Sequence, residues 1–195
     1  AEERQRYSGI IHDEAIRLTR LLDDLLDLCV LENGQVTLNL RADTLRAVLD
    51  RAVAASVKAC AESGLVVQRS LASEDIPLVT DSDRLAQVFI NLIANAAKYC
   101  EAEPPELVIS ASVAGSRTVV DFTDNGNGIP RAARGMIFEK FSRASDDRAA
   151  GGAGLGLAIC REVMARLGGS ISYLPGQGGA SFRVTLPEVQ AKAAE

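Results

Sequence analysis

The sequence predicts an α+β sandwich: a mixed sheet under three helices, preceded by one long helix. Three observations predict it. Apolar residues recur at heptad spacing through residues 5–31. After that, helical and strand-like segments are mixed, yet several strands are joined by short turns and so pair locally, which disfavours a doubly wound parallel sheet. Finally, 13 of the 16 glycines lie from Gly115 onward. The first part therefore reads as helical scaffold and the last part as loops that need unusual backbone angles.

The first helix spans about 5–31. Ile11, Leu18 and Leu25 form one row, Leu21 and Leu28 a second, and Ala15, Leu22 and Cys29 a third. Such a wide stripe suits a helical bundle better than a two-stranded seam. The charged face (Asp13, Arg17, Arg20, Asp23, Asp24, Asp27) reads as solvated. Glu32-Asn33-Gly34 stops the helix, with Gly34 suited to a left-handed cap. Val36–Leu40 alternates and reads as a strand. Asp43 or Thr44 then caps a helix to about Glu62, with Leu45, Val48, Leu49, Ala52 and Val53 inward. Leu65–Leu71 and Pro77–Thr80 read as strands, and Asp81 caps a helix to about Tyr99.

Pro104-Pro105 marks a turn. Strands at about 106–114 and 117–123 follow, joined by Ala114-Gly115-Ser116. Residues 124–152 read mostly as loop, with a short helix near 131–138. A helix at about 154–167 precedes a last hairpin, 169–174 and 180–186, and a frayed tail from Glu188.

Composition narrows the chemistry. The chain has 195 residues, 47% apolar and 24% charged, with no Trp, three Tyr and five Phe. That is ordinary globular composition with a core of Leu, Val, Ile and Ala. The single histidine, His12, excludes metal sites needing two imidazoles, and no G-x-S-x-G elbow accompanies it. Cys29, Cys60, Cys100 and Cys160 are scattered without a C-x-x-C pair, which fits a reducing, cytoplasmic compartment. A net charge of −5 argues against nucleic acid as a partner. No run approaches the ~18 apolar residues of a membrane span. The chain reads as a fragment of something longer.

Three segments carry the chemistry. In the first, Asn91, Asn95 and Lys98 recur on one helix face, followed by Tyr99. Two amides and a cation suit a hydrated Mg²⁺ and a phosphate chain, although an exposed polar face is the plainer alternative. In the second, Asp121–Pro130, a strand ends in Asp124-Asn125-Gly126-Asn127-Gly128. Asp124 could accept the exocyclic amine of a purine, and the glycines let backbone approach a flat base. The third runs Gly151-Gly152-Ala153-Gly154-Leu155-Gly156-Leu157 into a helix, so free backbone N–H groups would face an anion. It is neither a Walker loop, since no Gly-Lys pair exists, nor the dinucleotide fingerprint.

Taken together and in this order, the segments resemble the N, G1 and G2 boxes of sensor histidine kinases, within the GHKL ATPase superfamily. Ile137–Arg143 resembles the F box, and Gly168–Ile171 with Gly178–Phe182 the closing hairpin. Glu14 through Gly34 resembles the second helix of the dimerisation domain. The resemblance reaches to about Pro187 and implies a Bergerat-type ATP-binding domain at 35–187, with the second dimerisation helix at 1–34, the first absent, and a tail at 188–195. It implies ATP and Mg²⁺ as cofactors, with Asn95 the Mg²⁺ ligand and Asn91 one turn before it. Lys98 and Tyr99 would contact phosphate and nucleotide, and Asp124 would read adenine with Gly126 and Gly128 shaping the floor. Arg143 would approach the γ-phosphate. Gly152, Gly154 and Gly156, with Leu155 and Leu157 beside them, would cradle phosphates and hinge a lid at about Ala144–Gly152. Phe138 and Phe141 are expected to anchor that lid.

The resemblance further implies a response regulator as partner and a homodimer through the dimerisation helices. It allows a parent anchored in an inner membrane, with this region on the cytoplasmic side. His12-Asp13-Glu14 invites identification as the phosphoacceptor, but no proline follows before Pro77, and a single helix runs straight into the ATP domain. His12 is therefore read as a surface or interface histidine, with the acceptor on a helix outside this chain. Two rival readings remain: a kinase-like module that binds nucleotide or regulator without transfer, and a chaperone- or gyrase-type ATPase, which the Glu14–Glu32 signature disfavours.

Overall fold

The long helix forms as the heptad rows require. α1 spans Glu2–Glu32. It ends where Asn33 N–H donates to the Cys29 carbonyl (3.1 Å) and Gly34, at φ 69°, closes the turn. The structure, a computed structural model, describes residues 2–34, 37–71, 76–142 and 153–187. The expected tail from Glu188 and the expected lid at Ala144–Gly152 lie outside the described residues. Leu28 and Leu31 are buried, whereas Tyr7, Ile11, Leu18, Leu22 and Leu26 are exposed. Among the described residues, it is the C-terminal end of the apolar stripe that is buried within this chain.

The strand expected at 36–40 is displaced. Thr37–Leu40 is irregular, and the strand is β1, Arg41–Thr44, paired antiparallel with β3, Pro77–Thr80. The ladder stops at Arg41↔Thr80 because the next residue, Asp81, is committed elsewhere. Its Oδ1 caps a helix by accepting Arg84 N–H (3.1 Å), and its Oδ2 accepts Asn39 N–H (3.0 Å).

Of the two candidates, Thr44 is the cap of α2, Leu45–Ser63, with its hydroxyl accepting Ala47 N–H (3.2 Å). Asp43 instead accepts from the Ser82 hydroxyl (2.6 Å), Thr44 N–H and Arg51. The Ser82 hydroxyl is the main cause holding the Asp43 carboxyl below the usual carboxylate range, against the opposing cost of burial. Asp43 therefore stabilises the fold above the ordinary carboxylate pKa, and that contribution is lost as pH falls through the lowered one.

α3, Ser82–Tyr99, lies over a five-stranded sheet ordered β2-β4-β5-β7-β6. β2 (Val66–Leu71) runs parallel to β4 (Glu106–Ala114), and the crossover between them carries α3. β5 (Arg117–Asp124), β7 (Ser181–Leu186) and β6 (Ser170–Leu174) continue antiparallel. Period-2 alternation buries Leu107, Ile109, Val120, Phe122 and Val184 under the helices, while Val66 and Val108 stay exposed. Phe89 of α3 meets Phe122 with ring centroids 5.1 Å apart.

α4, Gly156–Arg166, completes the helical layer and packs on α3 and α1. Its Cys160 is fully buried, with Sγ 3.8 Å from the Val88 carbonyl, and burial pushes the thiol up to about 12. The short helix expected at 131–138 is instead a run of four-residue turns, with Ala133, Met136 and Glu139 N–H donating to Pro130, Ala133 and Met136 carbonyls. Gly135 in the middle of that segment costs ~1 kcal/mol of helix propensity. No helix among the described residues is long and apolar enough to cross a membrane.

Candidate functional site

Asp124 ends β5 and is buried. Its Oδ1 accepts two backbone N–H groups, from Gly126 (3.0 Å) and Ala180 (2.8 Å). No described donor reaches Oδ2, and the side chain lines a cleft of about 430 Å³, within the usual range for small-molecule sites. The next residue fastens the loop: Asn125 Oδ1 accepts Glu106 N–H (2.8 Å), and its Nδ2 donates to the Pro104 carbonyl (2.9 Å). The carboxylate is thereby fixed by main chain rather than by side chains.

Gly179 lets this happen. A Cβ there would sit 1.9 Å from the Asp124 carbonyl oxygen and 2.7 Å from Oδ1. No L side chain fits, so β7 can lie against Asp124 only with glycine at this point. The sequence reading included Gly179 in the closing hairpin but gave it no part in the site; the run Gly178-Gly179-Ala180 was the available signal.

Around Asp124, the cleft wall is apolar: Leu92 and Ala96 from α3, Leu107 from β4, Phe122, Ile129, Ile137 and Phe182. None of these was singled out as a site residue, because an apolar residue facing a ligand has the same periodicity as one facing core. Tyr173 supports the wall from behind: its hydroxyl accepts Ile129 N–H (3.2 Å), and its ring meets Phe182 at 5.7 Å.

The other end of the cleft is polar. Asn95, Lys98, Tyr99, Gly154, Leu155, Gly156 and Leu157 line it, whereas Gly128 lines the cleft on the Asp124 side, against Gly179. Lys98 Nζ lies 4.7 Å from the Tyr99 ring centroid. α4 begins here without a side-chain cap, so its first N–H groups are free to meet an anion. Gly154, at φ 70°, passes so close to the chain before it that a Cβ would lie 2.6 Å from the Ser142 carbonyl oxygen. Gly126 sits behind Asp124 and Asn91 stands off the cleft, its amide donating to the Gly156 carbonyl (3.5 Å) and so bracing the start of α4. Arg143, Gly151 and Gly152 lie outside the described residues. Phe138 packs edge-on against Phe182 (6.4 Å), as a core anchor should, but Phe141 is exposed, held at φ 60° beside Gly154.

The reading of the α1 charged face as solvated is corrected at two positions. Asp27 accepts two bonds from Arg84 (2.7 and 2.9 Å) and one from Gln87 (2.7 Å). Asp24, one turn earlier, lines the cleft. Burial, then the Asp27 and Asp23 carboxylates, raise its carboxyl above the ordinary value. Helical period showed which residues share a face, not what packs against it. His12 is exposed on the same helix, about 18 Å along its axis from Asp24 at 1.5 Å per residue.

Asn95 offers an amide oxygen, and no group of three or more His, Cys, Asp or Glu that could hold a metal occurs among the described residues. That donor set suits Mg²⁺ kept largely by water and phosphate oxygens, not a closed protein cage.

A helix layer over a mixed sheet, with a buried acid at one end of a cleft and uncapped helix N–H groups at the other, defines a Bergerat-type nucleotide-binding domain. Residues 80–190 match the family described as histidine kinase-, DNA gyrase B-, and HSP90-like ATPase, and the chain belongs to that family, on its protein-histidine kinase branch. It is 36% identical over 193 residues to sensor protein KdpD of Escherichia coli (strain K12), an alignment covering 97% of this chain and 21% of that one. The chain thus spans about a fifth of the length of that relative. Among solved structures, full-length ShkA in complex with AMPPNP superposes with a TM-score of 0.82 at 27% identity, covering 96% of this chain and 39% of that one. Histidine kinase ThkA in complex with the response regulator protein TrrA gives a TM-score of 0.74 at 22% identity, covering 93% and 50%.

Proposed function

We propose that the chain is the ATP-binding catalytic region of a two-component sensor kinase and presents the γ-phosphoryl of ATP to a histidine outside this chain. Residues 1–34 would be the second helix of a dimerising hairpin, 35–187 the catalytic domain and 188–195 a tail. The observation that carries the reading is Asp124: a buried carboxylate with one oxygen saturated by main-chain N–H groups and the other turned to an apolar cleft suits an adenine amine. Gly128 and Ile129 would bound the base, and Leu92, Ala96 and Phe122 would exclude water around it.

At the far end, Lys98 and the first N–H groups of α4 would hold phosphate oxygens, and Asn95 would carry the Mg²⁺ ligand. Bound Mg²⁺ would neutralise phosphate charge as it develops. Arg143 and Gly152 enter on the resemblance alone. The chain's own contribution is positioning and electrostatics. ThkA, solved with a response regulator, supports such a regulator as partner, and the uncovered Ile11, Leu18, Leu22 and Leu26 of α1 support a homodimer through the helices. Asp24, the residue of α1 that lines the cleft, lies about 18 Å along the helix from His12, which favours an acceptor other than His12.

Calorimetry with a non-hydrolysable ATP analogue and Mg²⁺ tests the binding step. The expected result is saturable binding that Asp124→Ala and Asn95→Ala each largely abolish; binding unaltered in both variants refutes the site. Mixing the chain with a separate acceptor-helix peptide and labelled ATP tests the transfer. Label on the peptide histidine supports a kinase, and tight regulator binding without any transfer favours the non-enzymatic module.

A further inference from the structure

One side chain of the cleft comes from an element the nucleotide-binding reading does not need. Asp24 belongs to α1, outside the span that matches the ATPase family, yet it lines the same cavity as Asn95, Lys98 and Gly156. Its place follows from the way α1 is docked. Asp27 is held by Arg84 and Gln87 on α3. Glu32 accepts Lys140 Nζ (2.7 Å), and its carbonyl accepts the Arg166 guanidinium at the end of α4 (3.2 Å). Between them, Leu28 and Leu31 are buried. α1 therefore runs antiparallel to α4: its residue 32 lies by the end of α4, and one turn before Asp27 it reaches the end where α4 starts. Asn91, two turns beyond Arg84 on α3, braces that start at Gly156. Asp24 thus stands on the anion-binding side of the cleft, and no cation or donor among the described residues pairs with it.

We propose that Asp24 makes docking of α1 and occupancy of the cleft by a nucleoside polyphosphate mutually unfavourable, so that the docked helix weakens the nucleotide and the nucleotide releases the helix. The inference rests on the reading of the cleft as a nucleotide site. A carboxylate beside a polyphosphate chain in a half-buried cleft repels it, and the repulsion grows with the number of phosphate charges. By linkage, whatever factor docking costs the nucleotide, the nucleotide costs docking. Two kinds of contact divide the work. Asp27, Glu32, Leu28 and Leu31 hold the helix down, and Asp24 makes the held position costly when the cleft is filled.

The test uses the full chain and measures Kd for ATP, ADP and adenosine with Mg²⁺. Asp24→Asn keeps the shape and the Asp27 contacts but removes the charge. It is expected to tighten ATP by about tenfold, the scale of ordinary coupling between sites, ADP by less, and adenosine hardly at all. Arg84→Ala loosens the docked helix while leaving Asp24 in place, and should tighten ATP in the same direction, by less. The double variant should gain little over Asp24→Asn alone, because both remove the same conflict. In the unaltered protein, ATP should increase amide exchange across residues 24–32. An ATP affinity that Asp24→Asn leaves the same or weakens overturns the inference, as does tightening of equal size for ATP and adenosine. If the unaltered chain binds no adenine nucleotide at all, the reading of the cleft fails and this inference fails with it; the two failures are therefore distinguishable.

Discussion

The two sides of the cleft are built by different means. On the base side, Asp124 is placed by the N–H groups of Gly126 and Ala180, and β7 approaches through a position where a Cβ would sit 1.9 Å from main chain. On the helix side, α1 is held by side chains: Asp27 with Arg84 and Gln87, and Glu32 with Lys140. Main-chain construction gives one geometry and tolerates little change. Side-chain construction gives a contact that can form, break and be retuned by single substitutions. The Asp124 side is rigid because its scaffold leaves no alternative, and the α1 contact is adjustable because its scaffold leaves several.

Four substitutions probe that contrast. The largest effect is expected from Gly179→Ala. The added methyl must displace β7 from Asp124, at a cost of about 3 kcal/mol, read as a lower denaturation midpoint together with loss of nucleotide binding. Unaltered stability would show that the base side can yield. Asp124→Ala comes next, with nucleotide Kd weakened about 100-fold, the scale of a lost charged hydrogen bond in a buried site. Its fold should remain intact by circular dichroism.

Arg84→Ala should cost only about 1–2 kcal/mol, because its partners are partly solvated and the buried Leu28 and Leu31 remain. Denaturant titration measures it. A loss as large as that of Gly179→Ala would erase the distinction between the sides. The smallest effect belongs to Asp24→Asn. Because folding raises the Asp24 pKa, its ionised form opposes folding at neutral pH, and that penalty disappears once both states are protonated. The variant should melt about 1 °C higher at pH 7, with the difference fading as pH falls through the raised value and gone below about pH 4. A difference that grows on acidification would reverse the sign.

Much of this was legible in the sequence, for physical reasons that can be named. The pair Asp43-Thr44 and Asp81 announced α2 and α3 because a cap is a local interaction, readable three residues ahead, although which of the pair caps α2 was left to the structure. The Asn95, Asp124 and Gly154 segments stood out because close approach of backbone to ligand restricts residue type. β1 was misplaced because Val36–Leu40 alternates like a strand, whereas pairing was decided by β3 and by the commitment of Asp81 to α3. Asp24 was read as solvated because a helical period carries no information about the neighbour across it. Gly179 went unremarked as a site residue because its requirement arises only when β5 and β7 meet, 55 residues apart in the chain.

The burial of Cys160 has a practical consequence. Its thiol, on α4, is sealed against α3 and held almost wholly protonated at physiological pH, so an alkylating reagent can reach it only when those helices separate. Cys29 on α1 is exposed and should react at once. The chain thus carries an internal stopwatch. The ratio of the two labelling rates reports how often the helical layer opens, with Cys29 as the reference for reagent strength, and no reporter need be introduced.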